Sequence, residues 1–288
     1  MIEILKKRRR AVFYFLVVLV ILVSSISVLW LPPEMSAGMN STGSQNTIEQ
    51  KPEPPSLLAF IPLFAYFALI LLPVIYKRYD GESFVWGHRF FKGAILGFIL
   101  ITMIFLIELS SGFLSIEDLL PDFQGILIAG IILQGIVAFG EELPFRGYIL
   151  PDMQKRFGLW KAVILSSFFF SLLHIPSIVV LKTSGASIII MVLTLTFAQM
   201  LLAFCYLYDG LRMSIGFHFT WNLFQYHVYS MRDGFGGILK TTSEYRLVTG
   251  GNLGPEAGLL GLFVVILALV IVFIWMGSIN EESRQTQV

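Results

Sequence analysis

The chain has 288 residues, 56% apolar and 14% charged, with 20 basic against 19 acidic side chains and a net charge of +1. Soluble domains are roughly 25% charged, so this composition, with a mean hydropathy of +0.78, excludes an ordinary soluble enzyme and describes a membrane-embedded chain. Basic residues cluster at the ends of apolar runs, which leaves no patch for nucleic acid, and the single cysteine, Cys205, excludes an internal disulfide or a thiolate metal cluster.

A bilayer core of about 30 Å needs roughly 20 apolar residues of helix. Runs of that kind lie near 11–31, 57–76, 92–113, 123–143, 160–181, 186–207, 211–229 and 256–276. They predict an all-α, polytopic membrane helical bundle with about eight transmembrane helices. The first run follows "KKRRR" and is too long for the apolar core of a secretory signal, while "MSAGM" is a poor cleavage site; it reads as an uncleaved signal anchor. A polar loop rich in Pro, Ser, Asn and Gly completes residues 1–56. Residues 57–281 form the main helical domain, followed by a polar tail, 282–288. The seventh run is the weakest, because His218, Asn222, Gln225 and His227 interrupt it. The glycine-rich stretch before the last run has no strand-loop-helix pattern for phosphate and reads as a flexible outer loop, suited to gating substrate entry.

Loop charge predicts orientation. With the amino terminus in the cytoplasm, 15 of the 20 Lys and Arg residues fall on inside segments, and only Lys51, Lys182, Arg232, Lys240 and Arg246 fall outside. The positive-inside rule then places both termini of a multi-pass cell-membrane protein in the cytoplasm. No internal repeat is found, which argues against an inverted-repeat transporter.

The chemistry concentrates in "FGEELPFRGYIL", residues 139–150, whose acids Glu141 and Glu142 stand directly behind eighteen uncharged residues. A charge at the centre of a membrane helix costs about 2.5–3.5 kcal/mol on insertion scales, so adjacent acids need compensation or a task. Glu142 and Arg146 are spaced i, i+4 and can pair. Glu141, rotated about 100° away, lacks that partner and suits general-base work. Pro144 has no N–H for the carbonyl of Gly140 and should bend or restart the helix there. The plain alternative is a helix that has left the membrane with both acids solvated.

Of four histidines, His88 and His227 read as interfacial or solvated, whereas His174 and His218 lie within apolar runs. A lone histidine of that kind is more often a packing residue, but two beside an unpaired glutamate carry more weight. If helices four and five form a hairpin, Glu141 and His174 are equidistant from a turn at Phe157-Gly158, and Gly158 is a good helix stop. His218 and Asn222 share one face at i, i+4. By helical rise, His218 sits about 9 Å from the cytoplasmic end and His174 about 20 Å, so a tilted or broken fourth helix is required for them to meet.

"EELPFR", "FSLLH" and "HFTWN" read E-E-x-x-x-R, F-x-x-x-H and H-x-x-x-N. In order and approximate spacing they resemble the CPBP intramembrane proteases, also called the Abi or CAAX amino-terminal protease family, which includes type II CAAX prenyl endopeptidases and bacterial immunity proteins. The likeness makes 57–281 the protease-like domain, with its motif core at 123–229. It implies that Glu141 activates the attacking water, that His174 positions or polarises it, and that His218 and Asn222 stabilise the oxyanion. Glu142 and Arg146 would hold the broken helix, and Phe170 would line the cavity. The implied partners are a membrane-embedded or lipidated protein or peptide substrate and the lipid bilayer, with no nucleic acid. No cofactor is assumed. Zinc or another divalent metal is the alternative, with Glu141, His174 and His218 as ligands; because H-E-x-x-H is absent, a glutamate-activated water leaves fewer roles unfilled. A catalytically silent immunity or regulatory partner is the second reading, and a proton-coupled transporter the third.

Overall fold

The computed structural model describes residues 2–27, 60–176, 184–232 and 236–285. The polar loop expected at 32–56 lies outside the described residues, as do Lys51 and Lys182. The helices are α1 (Ile2–Ser27), α2 (Ile61–Asp80), α3 (Phe90–Ser110), α4 (Phe123–Glu142), α5 (Leu150–Phe157), α6 (Leu159–Leu173), α7 (Gly185–Asp209), α8 (Leu211–Asn222), α9 (Arg246–Thr249) and α10 (Leu259–Gln285). Two π-helical segments interrupt them, Leu143–Ile149 after α4 and Leu223–Val228 after α8.

The helical architecture agrees with the sequence, but the span count differs. Among the described residues, four helices are long and apolar enough to cross a membrane: Ile61–Asp80, Phe90–Ser110, Phe123–Phe157 and Gly185–Asp209. The expected fifth span is shorter, because α6 stops at Leu173. The seventh gives only the twelve residues of α8 before the helix widens, and the apolar part of α10 is Leu259–Ile274. Apolar composition counts residues wherever helices end; a crossing needs one helix of sufficient length. The expected polar tail begins within α10, which runs through Gln285.

The outer surface remains apolar, with Phe64, Phe91 and Ile189 each about two-thirds exposed or more. Water would make so extensive a surface costly, whereas lipid does not. Helix α7 is the most enclosed of the four, and α3 lies along α8 so closely that a Cβ on Gly93 would stand 1.9 Å from the carbonyl oxygen of Met213. Small residues permit this approach where packing rather than water drives association.

One end of the bundle is tied by ion pairs. Arg10 and Arg156 both reach Asp152, at 3.2 and 2.9 Å, and Arg89 reaches Asp209 at 3.7 Å. Glu82 joins Lys77, at 3.2 Å, to Lys155. Partial burial pushes the Glu82 carboxyl up, but the hydrogen bonds from Lys155 and Lys77 prevail and hold it below the usual carboxylate range. Helix α1 docks beside this end: Phe13 is fully buried, 4.0 Å from Tyr148 and 5.0 Å from Tyr76 between ring centroids.

The opposite end corrects the expectation of a flexible outer loop. Strands β1 (Ser115–Leu119) and β2 (Leu239–Thr242) pair antiparallel, from Ser115 opposite Thr242 to Leu119 opposite Leu239, with an irregularity between Ile116 and Asp118. Thr241 Oγ1 donates to the Ser230 carbonyl at 2.6 Å, and Arg232 Nε donates to the Asn252 carbonyl at 2.8 Å. Glycine-rich composition suggested mobility, but side-chain-to-backbone bonds and a strand partner over 100 residues away fasten the segment.

Candidate active site

The break after Glu142 positions the site. Pro144 cannot donate to Gly140, and the chain answers with a π-helical turn, Leu143–Ile149, between two α-helices. Both the acid pair and the His218–Asn222 pair therefore end regular helices at the start of a wider one. Gly158 closes the expected hairpin between α5 and α6, and the broken helix reconciles the depths of His174 and His218.

Glu141, His174, His218 and Asn222 all line one cavity of about 420 Å³. Phe170 lines it too, its ring 4.5 Å from that of His174. His174 Nδ1 lies 3.0 Å from the Phe170 carbonyl oxygen. A carbonyl only accepts, so Nδ1 carries the proton in this bond.

Behind the cavity wall, Glu142 is fully buried and pairs with Arg146, Nε to Oε2 at 3.3 Å, as the spacing predicted. Arg146 Nη2 also donates to the Gln199 carbonyl at 2.8 Å. Glu142 has a second duty that the sequence did not reveal: its Oε1 accepts from His218 Nδ1 at 2.9 Å. Nor is Glu141 without partners. Tyr66 donates its hydroxyl to Oε1 at 3.1 Å, and His218 Nε2 stands 3.6 Å from Oε2. The imidazole of His218 thus lies between the two adjacent acids, one buried and one facing the cavity.

His227 departs from its expected interfacial role. It is buried, and its Nε2 is 3.0 Å from Gln134 Nε2, so it pairs inside the bundle. His88 fits the solvated reading better, its backbone N–H donating to Asp209 at 2.7 Å in an exposed bond.

Residues 123–224 match the family described as Type II CAAX prenyl endopeptidase Rce1-like. The match spans about a third of the chain. Every motif residue from Glu141 to Asn222 falls inside that segment. No curated protein sequence matches the chain.

Around the Rce1-like segment, the cavity takes residues that the sequence did not single out: Tyr66, Tyr226, Arg232 and Glu256. Tyr66 sits in an apolar run among other aromatics and gave no signal. Glu256 gave a weak one, as an acid beside the start of the last apolar run.

Three donors could in principle serve a metal, and the geometry tests them. The Nδ1 atoms of His174 and His218 face Phe170 and Glu142. Among the described residues, no group of three or more His, Cys, Asp or Glu side chains is arranged to hold a metal ion.

Proposed function

We propose that this chain is an intramembrane endopeptidase, multi-pass with both termini in the cytoplasm, that hydrolyses a peptide bond of a membrane-associated protein or peptide, prenylated CAAX tails among the candidate substrates. The observation that carries the reading is the convergence of Glu141, His174, His218 and Asn222 on one cavity, inside a bundle whose outer face is apolar.

In this reading Glu141 takes a proton from a water held beside it, and the resulting hydroxide attacks the peptide carbonyl. Tyr66 fixes the carboxylate from one side through Oε1, which leaves Oε2 to take the proton. Asn222, and His218 through an N–H on Nε2, donate to the oxyanion of the tetrahedral intermediate. His174, anchored through Nδ1, presents Nε2 to orient the water. Glu141 then returns its proton to the departing amine, and the bond breaks. Glu142 and Arg146 act from behind, the first by orienting His218, the second by neutralising the first. Residues 1–56 serve as the anchor and loop, and 57–281 as the protease domain.

The test compares protein termini in membranes from cells expressing wild type or Glu141→Gln at matched levels. New termini that disappear in the variant are expected. Identical termini, with both proteins folded and abundant, would instead favour a catalytically silent binding partner.

A further inference from the structure

The active cavity sits unevenly along the bundle. Among the described residues, α6 lines it with Phe170 and His174 near its end, α7 lines it as far as Leu202 but not from Ala203 to Asp209, and α8 lines it only from Phe217 onward. The helical rise from Leu211 to Phe217 is about 9 Å, and it separates the cavity from the end that carries the ion pairs.

That interval is filled. Every residue of the π-helical turn from Leu143 to Ile149 is buried. Leu143, Leu150, Val163, Leu211 and Ile215 join in one apolar cluster, and the Arg146 guanidinium closes the gap towards α7 by donating to the Gln199 carbonyl. The other end of the bundle contributes to the cavity instead of blocking it. Arg232 and Glu256, from the segment beyond α8, line the same space, and both are only partly buried. Deeper in, Glu141 and His218 still keep 12% and 9% of their side chains exposed.

The two ends differ in charge as well. The closed end gathers Arg10, Lys77, Arg89, Lys155 and Arg156, all on segments that loop charge assigns to the cytoplasm. Arg232 and Lys240 belong to the opposite end.

We infer that the cavity is entered from the extracytoplasmic face, so that the bond cut belongs to a peptide segment presented there, on an exported or a membrane-anchored chain. The inference rests on the proposed peptidase activity and narrows it, since a prenylated tail held at the cytoplasmic leaflet does not reach Glu141.

Thiol labelling reads the route of entry without any need for cleavage. Cys205, which is buried, is replaced by Ala, and Val137→Cys puts a thiol on the cavity wall one helical turn from Glu141. Glu256→Cys supplies a second position nearer the mouth. A small, charged, membrane-impermeant methanethiosulfonate is applied to the full chain in right-side-out and in inverted membrane vesicles. Lys155→Cys and Lys240→Cys, at side chains exposed in the wild type, mark the two faces. The cavity thiols are expected to react in right-side-out vesicles together with Lys240→Cys, and to be protected in inverted ones, where Lys155→Cys reacts. Reaction from the cytoplasmic face, from both faces alike or only after detergent is added overturns the inference, as do markers that report the reverse orientation. Cleavage is judged separately, from the termini that disappear in Glu141→Gln. Labelling from outside with no such termini would remove the peptidase activity and leave the route standing, whereas termini that map to cytoplasmic segments would keep the activity and remove this substrate class.

Discussion

Glu142 accepts a hydrogen bond of 2.9 Å from Nδ1 of His218 while its other oxygen meets Arg146 at 3.3 Å. One buried acid therefore joins the π-helical turn after α4 to the middle of the apolar helix α8. Removing its charge has two separable effects. Glu142→Gln leaves the buried Arg146 uncompensated, which costs about 3–5 kcal/mol in comparable sites, and it withdraws the anion that orients His218. The expected result is a lower thermal midpoint in detergent and a loss of cleavage of about a hundredfold. Adding Arg146→Met should restore much of the midpoint without restoring cleavage. Recovery of both together would assign Glu142 a purely structural role.

Tyr66 gives a cleaner probe, because its hydroxyl touches Glu141 and its ring does the packing. Tyr66→Phe deletes the 3.1 Å bond to Glu141 Oε1 and nothing else of size. Hydrogen bonds to charged groups contribute about 1.5–3 kcal/mol, so cleavage should fall by about tenfold or more with the thermal midpoint little changed. Cleavage at the wild-type rate would show that the carboxylate needs no help from α2.

The sequence made the acid pair, the Glu142–Arg146 contact, the break at Pro144 and the hairpin at Gly158 legible, since each follows from spacing along one helix or from a missing N–H. Contacts between helices were not legible in that way. Tyr66 looks like any other aromatic in an apolar run, and only the packing of α2 against α4 turns its hydroxyl to Glu141. His227 misled for the same reason: its nearness to the end of a run suggested an interface, whereas Gln134 meets it inside the bundle. The β1–β2 pair joins segments more than 100 residues apart, so local composition held no trace of it. Span counting failed where π-helical turns shorten regular helices, as after Asn222.

Helix α1 read as an anchor from its charge and length, yet Phe13 is fully buried against Tyr148, on the same π-helical turn as Arg146. Phe13→Ala should lower the stability by about 3–5 kcal/mol. Phe15, with 64% of its surface exposed, provides the control on the same helix, and Phe15→Ala should leave the midpoint nearly unchanged. Equal shifts from the two substitutions would mean that α1 is held in the membrane but not against the bundle.

Acid should loosen the end of the bundle that Glu82 ties. Its carboxyl, outside the spanning helices, is held below the usual carboxylate range by Lys155 and Lys77 against the opposing effect of burial. A group depressed on folding contributes stability that is complete above its unfolded value, near 4.3 for glutamate, and that disappears as the pH falls through the folded one. Glu82 keeps 37% of its side chain exposed, so screening limits the size of the effect. Thermal midpoints of wild type and Glu82→Gln, measured from pH 7 down to pH 3, should differ at neutral pH and converge at the acidic end. Salt should shrink the neutral-pH difference as well, since the pair sits within reach of counterions. A constant gap across the whole range would mean that Glu82 acts through packing, and that the Lys77 and Lys155 contacts carry none of the tie.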